Sequence, residues 1–285
     1  MFASVDLQDF LSRLATSPAV LVSVAQGQGS VPRENGAWMA VFPDAVVGTI
    51  GGGQLEWAAM RQARAWLTDP AGRAAVAWEQ REALGPSLGQ CCGGVVVLRF
   101  EPVDHAQAAE LRQRLATATT PVGLFGGGHV GRAIVQALAP LPFSVSWIDS
   151  RDEIFPADVP DHVRTEHSDP VQAAVWDLPP GSLVLIMSFS HAQDLDVVAA
   201  CLERQRQRAD LPFVGLIGSR TKWATFAHRL RERGWNGQAL AHITSPIGIA
   251  GISGKQPAVI AAAVVAQMLL VTSSAAEAVG EEERS

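Results

Sequence analysis

The segment "VGLFGGGHVGRAIVQAL" at residues 122–138 limits what this chain can fold into more than any other. It places Gly126, Gly128 and Gly131 in the G-x-G-x-x-G spacing, between a short apolar run and a helical pattern. In dinucleotide-binding loops the first glycine permits a tight turn. The second lets a phosphate approach the backbone, and the third lets the helix pack against the strand. The segment therefore predicts a strand, a phosphate-binding loop and the start of a helix.

An acidic residue follows this loop at the distance expected of a nucleotide-binding fold. Asp149 ends the next β-rich run, "FSVSWID", at the position from which an acid accepts a ribose hydroxyl in NAD-binding proteins. The predicted helix start offers free N–H groups and a positive dipole end to an anion. His129 lies inside the loop, and two roles are open for it: contact with a ligand or capping of the helix.

From Pro121 onward β-rich runs alternate with helical patterns, which predicts βαβ units in a parallel sheet. Strands dominate the preceding part without such alternation, and Asp104 is a candidate N-cap between the two parts. The predicted fold class is α/β, a Rossmann-like parallel sheet with helices on both faces, preceded by a smaller mixed α+β domain. The predicted divisions are a first domain at 1–103, a connecting helix at 104–119, a Rossmann-like domain at 120–272 and a disordered acidic tail at 273–285.

Polar residues follow two further predicted strands of the second domain. His191 comes just after "SLVLIMS", and Arg220 and Lys222 come just after "PFVGLIG". Ligands gather at the carboxyl edge of an open parallel sheet, so we expect these residues near the glycine loop. Arginine forks onto phosphate and lysine acts as a point charge, so both suit an anionic ligand.

Composition excludes several classes of partner. The net charge of −6 gives no electrostatic footprint for nucleic acid or an anionic membrane. The longest apolar run, "PAVIAAAVVAQMLLVT", is shorter than the roughly 20 residues of a membrane span. The start of the chain has no basic region typical of a signal peptide, and three cysteines make no disulfide framework, so a cytoplasmic location is predicted. The long apolar final helix suggests a homodimer.

The most unusual string is "LGQCCGG", which places Cys91 and Cys92 between glycines. A zinc site would need further Cys or His at ligand spacing, and none is near. A soft thiolate can bind a soft metal centre or carry a sulfane sulfur as a persulfide. One buried cysteine beside an incidental one is the simpler alternative, and the neighbouring residues leave all three interpretations open.

Six strings in order resemble the XdhC/CoxI family, over about residues 23–270. They are "SVPRENGAWMAVFPDAVVGTIGGGQLE", "GQCCGG", "GGGHVGRA", "SHAQDLD", "LIGSRTKW" and "SPIGIAGISGKQPAVIA". The forms "QCCGG" and "GHVGRA" resemble the XdhC branch of that family. The chain departs from the pattern at Ala250, where family members commonly carry an acidic residue.

Family members of this kind are accessory factors for molybdenum hydroxylases such as xanthine dehydrogenase. The resemblance implies a chaperone, not an enzyme, that binds the molybdenum cofactor in its molybdopterin form. A cysteine desulfurase then replaces an oxo ligand of the metal with a sulfido ligand, and the chaperone delivers the cofactor to apo xanthine dehydrogenase. The resemblance makes Cys92 the first candidate for cofactor and molybdenum contact, and Cys91 the second. The residues that match the family's glycine signatures are Gly51, Gly52, Gly53, Glu56, Gly126, Gly128, His129 and Gly131.

Two other functions compete with this one. The chain could be a sulfurtransferase that carries a persulfide on Cys91 or Cys92. It could also be an NAD(P)-dependent oxidoreductase with His191 or His129 as general acid. The strings "TIGGGQLE" and "QCCGG" favour the chaperone over the oxidoreductase, because a simple dehydrogenase has no need of them.

Overall fold

The computed structural model describes residues 4–69, 76–84, 93–160 and 162–282. The chain forms two compact units, one up to Thr117 and the other from Ala118 onward. Each unit has a sheet of its own, antiparallel in the first and parallel in the second. The predicted fold class, a Rossmann-like sheet preceded by a mixed α+β part, is confirmed.

The first unit is a five-stranded antiparallel sheet in the order β3-β2-β1-β5-β4, with helices against it. Its elements are α1 (Val5–Leu14), β1 (Ala19–Gln28), β2 (Trp38–Val41), β3 (Val46–Gly48), α2 (Gly53–Thr68), β4 (Trp78–Ala83), β5 (Val95–Val103) and α3 (Ala108–Leu115). The alternation along β1 sends Val20 and Val22 into a core with α2. It sends Leu21 into a second core with α1 and α3, so both faces of the central strand are buried.

Helix α3 belongs to the first unit, whereas the sequence predicts a connecting helix at 104–119. Asp104 caps a 3₁₀ turn over His105–Gln107 with a reciprocal capping box, which confirms the predicted cap. Leu111 of α3 is then buried in the same core as Phe10 of α1. Burial of Leu111 packs α3 into the core of the first unit. The helix therefore does not form a separate connector.

The second unit is a six-stranded parallel sheet in the order β8-β7-β6-β9-β10-β11. Its elements are β6 (Thr120–Phe125), α4 (His129–Leu138), β7 (Phe143–Asp149), β8 (Val163–His167), β9 (Leu183–Ile186), α5 (His191–Arg208), β10 (Phe213–Leu216), α6 (Arg220–Glu232), α7 (Gly237–Leu240), β11 (Ile243–Thr244) and α8 (Pro257–Glu282). This order is that of the dinucleotide-binding fold, in which the direction of winding reverses between the first and fourth strands. Here the reversal lies between β6 and β9.

Alternate residues of these strands face opposite layers of helices. Leu124 and Leu185 lie in a core with α4 and α8. Phe125 and Ile186 lie in a second core with α5 and α6. The strands are therefore apolar throughout, as expected of a parallel sheet covered on both faces, and the prediction of helices on both faces is confirmed.

The end of the chain differs from the expected disordered tail. Helix α8 continues to Glu282, although the sequence predicts order only to residue 272. Alanine and glutamate dominate the extension and are strong helix formers, and adding residues to an existing helix needs no new nucleus. A 3₁₀ segment lies over Val171–Asp177. None of the helices in the described ranges has the length and hydrophobicity needed to cross a membrane.

Candidate functional site

The glycine loop lies at the reversal between β6 and β9, where the backbone is closely packed. Gly126 has φ of 132°, and a Cβ there would lie 2.1 Å from the carbonyl oxygen of Met187. A Cβ on Gly131 would lie 2.1 Å from the carbonyl oxygen of Gly126, so only glycine lets α4 approach the strand. A Cβ on Gly128 would meet nothing within 4 Å. The first and third glycines thus pack as the motif requires, and the middle one borders open space.

Asp149 lies at the carboxyl end of β7, and its two oxygens are fully engaged within the protein. Oδ2 accepts from the Gly127 N–H at 2.6 Å and from Arg151 Nη2 at 2.8 Å. Oδ1 accepts from the Arg151 N–H at 3.0 Å and from Arg151 Nε at 2.9 Å. A carboxylate offers about four acceptor positions, so none is left for the predicted ribose hydroxyl. Asp149 instead fastens the glycine loop to the end of β7.

The charge state of Asp149 follows from these bonds. Burial alone would raise the pKa of this carboxyl. The hydrogen bonds from Arg151 and Gly127, together with the charge of Arg151, outweigh burial and hold the pKa below its usual value of 3.8. Asp149 is therefore ionised at neutral pH.

Replacing Asp149 by asparagine is expected to destabilise the fold by about 3 kcal/mol at pH 7, because Arg151 loses its partner. The folded-state pKa is depressed, so the stabilisation is present above the usual pKa and is lost as pH falls through the folded value. Urea unfolding from pH 7 to pH 3 should show the two proteins converging in acid. Asp152→Asn is the matched control, since its side chain is 85% exposed and its loss should change stability by about 0.5 kcal/mol or less. An Asp149→Asn effect that does not depend on pH would contradict this assignment.

Lys222 was predicted to meet a ligand anion, but its ammonium has an internal partner. Nζ lies 2.6 Å from Oδ2 of Asp194 and donates to the carbonyl oxygen of Ile217 at 2.8 Å. The other oxygen of Asp194 accepts from the N–H and hydroxyl of Ser188. This buried ion pair ties the loop after β9 to the loop after β10, and it leaves Lys222 without free charge for a ligand.

The remaining predicted residues of this edge are exposed. Arg220 is the first residue of α6, and its side chain has no ionic or hydrogen-bonding partner among the described residues. His191 begins α5 and meets the ring of Phe226 edge-on at 6.2 Å. His129 begins α4, and the N-cap of that helix is Gly128. Ligand contact by these three side chains stays a prediction.

In the first unit Glu56 holds the glycine turn that precedes α2. Its Oε2 accepts from the hydroxyl of Thr49, from the Ile50 N–H at 3.0 Å and from the Gly52 N–H at 3.1 Å. The carboxylate takes the place that a bound anion takes in a nest of backbone amides. Gly51 and Gly53, with Gly52, complete the turn with positive φ angles. Glu56 therefore fixes the shape of "TIGGG" from within the chain.

Three glycine-containing segments of the first unit come together. A Cβ on Gly51 would lie 2.5 Å from Cβ of Pro32, so the turn packs directly on "SVPREN". A Cβ on Gly94 would lie 2.5 Å from the carbonyl oxygens of Gln28 and Ser30 at the end of β1. Gly94 is the last residue of "QCCGG". Cys91 and Cys92 themselves lie outside the described residues.

The third cysteine, Cys201, is fully buried in α5. Burial raises the pKa of its thiol to about 12, an effect that the nearby Arg204 charge only reduces. At pH 8 about one molecule in ten thousand would carry the thiolate. We expect alkylation of the folded protein to leave the Cys201 peptide unlabelled, as measured by mass spectrometry, and alkylation in urea to label it. A labelled Cys201 peptide from folded protein would contradict its burial. Since the chain has three cysteines, thiols that react in the folded state then belong to Cys91 or Cys92.

Two participants in these networks were not assigned a role from the sequence: Arg151 and Asp194. Arg151 follows Asp149 closely enough in "IDSR" to have been suspected as its partner. Asp194 gives no local signal, because its partner Lys222 is distant in the sequence. Within the described ranges, no three His, Cys, Asp or Glu side chains are grouped so as to hold a metal ion.

Comparison with known proteins agrees with this architecture. A family model described as the XdhC Rossmann domain matches residues 122–268, and one described as the XdhC and CoxI family matches residues 13–77. The uncharacterized protein YqeB of Escherichia coli K12 is 29% identical over 261 residues, which cover 90% of this chain and 44% of YqeB. The chain thus spans less than half the length of that relative.

A crystal structure from Bacillus halodurans, described as a xanthine dehydrogenase, superposes with a TM-score of 0.72. The match covers 94% of this chain and 96% of the other at 19% identity, a likeness that shows the shared fold. The two family matches together extend through both units. The chain therefore belongs to the XdhC and CoxI family.

Proposed function

We propose that this protein is a molybdenum cofactor chaperone. It binds the cofactor as cargo, protects it while a cysteine desulfurase supplies a sulfido ligand, and delivers it to apo xanthine dehydrogenase in the cytoplasm. Membership of the family and the likeness to a protein described as a xanthine dehydrogenase support the link to that enzyme. The proposal assigns no reaction of its own to the chain.

The observation that carries the proposal is the meeting of three glycine segments in the first unit. The turn at Gly51 packs on Pro32, which lies in the loop after β1. The carbonyl oxygen of Ser30, in the same loop, packs on Gly94. A Cβ on Gly52 or on Gly93 would meet nothing within 4 Å, so these positions border open space. A flat pterin can approach backbone most closely where side chains are absent. Cys92 immediately precedes Gly93, and a thiolate there supplies the soft ligand that molybdenum accepts.

The oxidoreductase alternative loses support at Asp149. A dinucleotide enzyme uses the acid at this position to accept from the ribose. Here Oδ1 of Asp149 accepts from Arg151, and Oδ2 accepts from Arg151 and Gly127. His129 and His191, the candidate general acids, are exposed and have no carboxylate partner among the described residues. An isolated exposed histidine lacks the second group that usually orients a general acid.

Cys92→Ala protein, purified from cells that make the cofactor, is expected to carry about tenfold less molybdenum and pterin per chain, equivalent to a loss of about 1.4 kcal/mol of binding free energy. Molybdenum is measured by mass spectrometry and pterin by fluorescence after oxidation. Cys91→Ala tests the neighbouring thiol, and Cys201→Ala, which alters a buried cysteine of the other unit, is the control that should keep the normal load. A normal load in Cys92→Ala would refute the thiolate contact.

The same proteins distinguish a chaperone from a sulfurtransferase. After incubation with a cysteine desulfurase and cysteine, the peptide with Cys91 and Cys92 is analysed by mass spectrometry. A chaperone leaves the peptide unmodified while apo xanthine dehydrogenase gains activity. A stable extra sulfur on either cysteine would favour the sulfurtransferase, which carries a persulfide.

A further inference from the structure

A cavity of the second unit lies at the amino edge of the parallel sheet, opposite the edge that carries the glycine loop. It is bordered by the end of α5, by the turn between α6 and α7 and by α7 itself, and its volume is about 500 Å³. Helix α5 begins after β9 and ends before β10, so its last turns lie where the strands begin. A helix rises about 1.5 Å per residue, which places Arg206 roughly 20 Å along α5 from His191. The cavity is therefore separate from the edge where ligands of this fold usually bind.

Apolar side chains form part of the wall of this cavity. Leu202 is buried, and Trp235 and Ala239 are partly buried against the core that contains it. Arg206 lies over the ring of Trp235, with Cζ 5.4 Å from the ring centroid. Nη2 of Arg206 also lies 2.6 Å from Oε2 of Glu203, so this arginine brings no net charge to the cavity. A wall of this kind favours a neutral ligand with an apolar body, because an unpaired charge is costly to bury.

Three polar side chains around the cavity have unused hydrogen-bonding groups. Nε2 of His242 is buried and has no hydrogen-bond partner among the described residues, although buried polar atoms are nearly always paired. Oε1 of Gln205 accepts from the Leu211 N–H at 2.9 Å, and Oδ1 of Asn236 accepts from the Ala239 N–H at 2.8 Å. The NH₂ groups of both amides donate to none of the described residues. A hydroxyl group suits this set, because it accepts from an amide and pairs with either tautomer of an imidazole.

We propose that this cavity binds a neutral aromatic ligand that carries a hydroxyl group, with the ring against Leu202 and Trp235 and the hydroxyl bonded to Nε2 of His242. A flat ring buries much apolar surface against such a wall, and the hydroxyl supplies the partner that the buried imidazole nitrogen lacks. An anionic ligand would find Arg206 already paired and Glu203 beside it. The site uses neither the cysteines nor the glycine loop, so it is independent of the proposed cofactor binding.

Titration of the ¹⁵N-labelled protein with p-cresol and with toluene, followed by NMR, tests the proposal, because the two compounds differ only in the hydroxyl group. We expect p-cresol to bind at least about tenfold more tightly than toluene. It should shift the indole N–H resonance of Trp235 and leave the amide resonances of the glycine loop, Gly126–Gly131, unchanged. Equal affinities, or shifts confined to other parts of the protein, would overturn the proposal. Binding of neither compound would also overturn it, and would mean that the imidazole nitrogen meets water alone.

Substitutions of histidine assign the preference to one nitrogen atom. His242→Phe keeps a ring but removes the nitrogen, and it should abolish the preference for p-cresol. His242→Gln keeps a polar group at the end of the side chain and should retain the preference. His228→Phe, at a histidine of α6 whose side chain is 73% exposed, is the matched control and should bind as the wild type does. A preference that persists in His242→Phe, or is lost in His242→Gln as well, would refute the hydrogen bond to Nε2.

A variant that fills the cavity tests the location without altering a buried residue. Gln238 lines the cavity and is exposed, so Gln238→Trp should fold normally and weaken the binding of both compounds about tenfold. Affinities unchanged by Gln238→Trp would place the ligand elsewhere and overturn the proposal. Cys92→Ala should bind both compounds normally, so failure of this proposal is distinct from failure of the cofactor proposal.

Discussion

Replacing Gly131 by alanine is expected to destabilise the protein by about 3 kcal/mol, although alanine is the better helix former. The added Cβ would lie 2.1 Å from the carbonyl oxygen of Gly126, which itself accepts from Nε1 of Trp147 at 2.9 Å. Backbone cannot rotate out of the way as a flexible side chain can, so α4 must move from the sheet. Urea unfolding followed by circular dichroism measures the loss.

Gly128→Ala, in the same loop, is the matched control. Its Cβ would meet nothing within 4 Å, and its φ of −72° is open to any residue. Since alanine is a poorer N-cap than glycine, we expect a loss of about 1 kcal/mol or less. Equal losses for the two variants would mean that helix propensity or capping, not the close approach at Gly131, determines the outcome.

Arg204→Ala should have an effect of similar or larger size, about 3 to 5 kcal/mol, because it leaves a charge and a carbonyl group unpaired. Arg204 is completely buried, forks onto both oxygens of Asp210 and donates to the Val175 carbonyl oxygen at 2.6 Å. The hydrogen bond from Arg204 holds the pKa of Asp210 below its usual value. This stabilisation is therefore present at neutral pH and is lost as pH falls through the folded-state pKa of Asp210.

Arg206→Ala on the same helix provides the comparison. Its side chain is 68% exposed and pairs with Glu203 three residues earlier, so its loss should change the free energy of unfolding by about 0.5 kcal/mol or less. Thermal and urea unfolding at pH 7 and in acid measure both variants. Similar losses for Arg204→Ala and Arg206→Ala would show that the buried fork contributes no more than a surface pair.

Local patterns were sufficient to predict four strands of the second unit, β6, β7, β9 and β10. The glycine spacing fixes a strand, a turn and a helix, and the apolar runs of β9 and β10 have the length of buried parallel strands. Strand β8 has no such run: its sequence "VRTEH" is mostly polar because it lies at the edge of the sheet. Edge strands bury little, so hydrophobic periodicity does not identify them.

The pairing of side chains was not predictable in the same way. Asp149 and Lys222 were assigned to a ligand because of their position after strands, but each has a carboxylate or guanidinium partner inside the protein. The partner of Lys222 lies in a different βα unit, and sequence order gives no distance between the two loops. Charged residues at this edge of the sheet form ion pairs with one another. The sequence alone does not indicate which of them are paired.

The carboxylate of Glu56 has a consequence for the cofactor uptake and release that we propose. The amides of "TIGGG" already have an internal acceptor, so the turn keeps its shape whether or not anything is bound to the first unit. No conformational entropy is then lost in ordering this turn at each encounter. In the function that we propose, loading and unloading would take place on one rigid surface, and the affinity would depend on the groups that touch the cofactor.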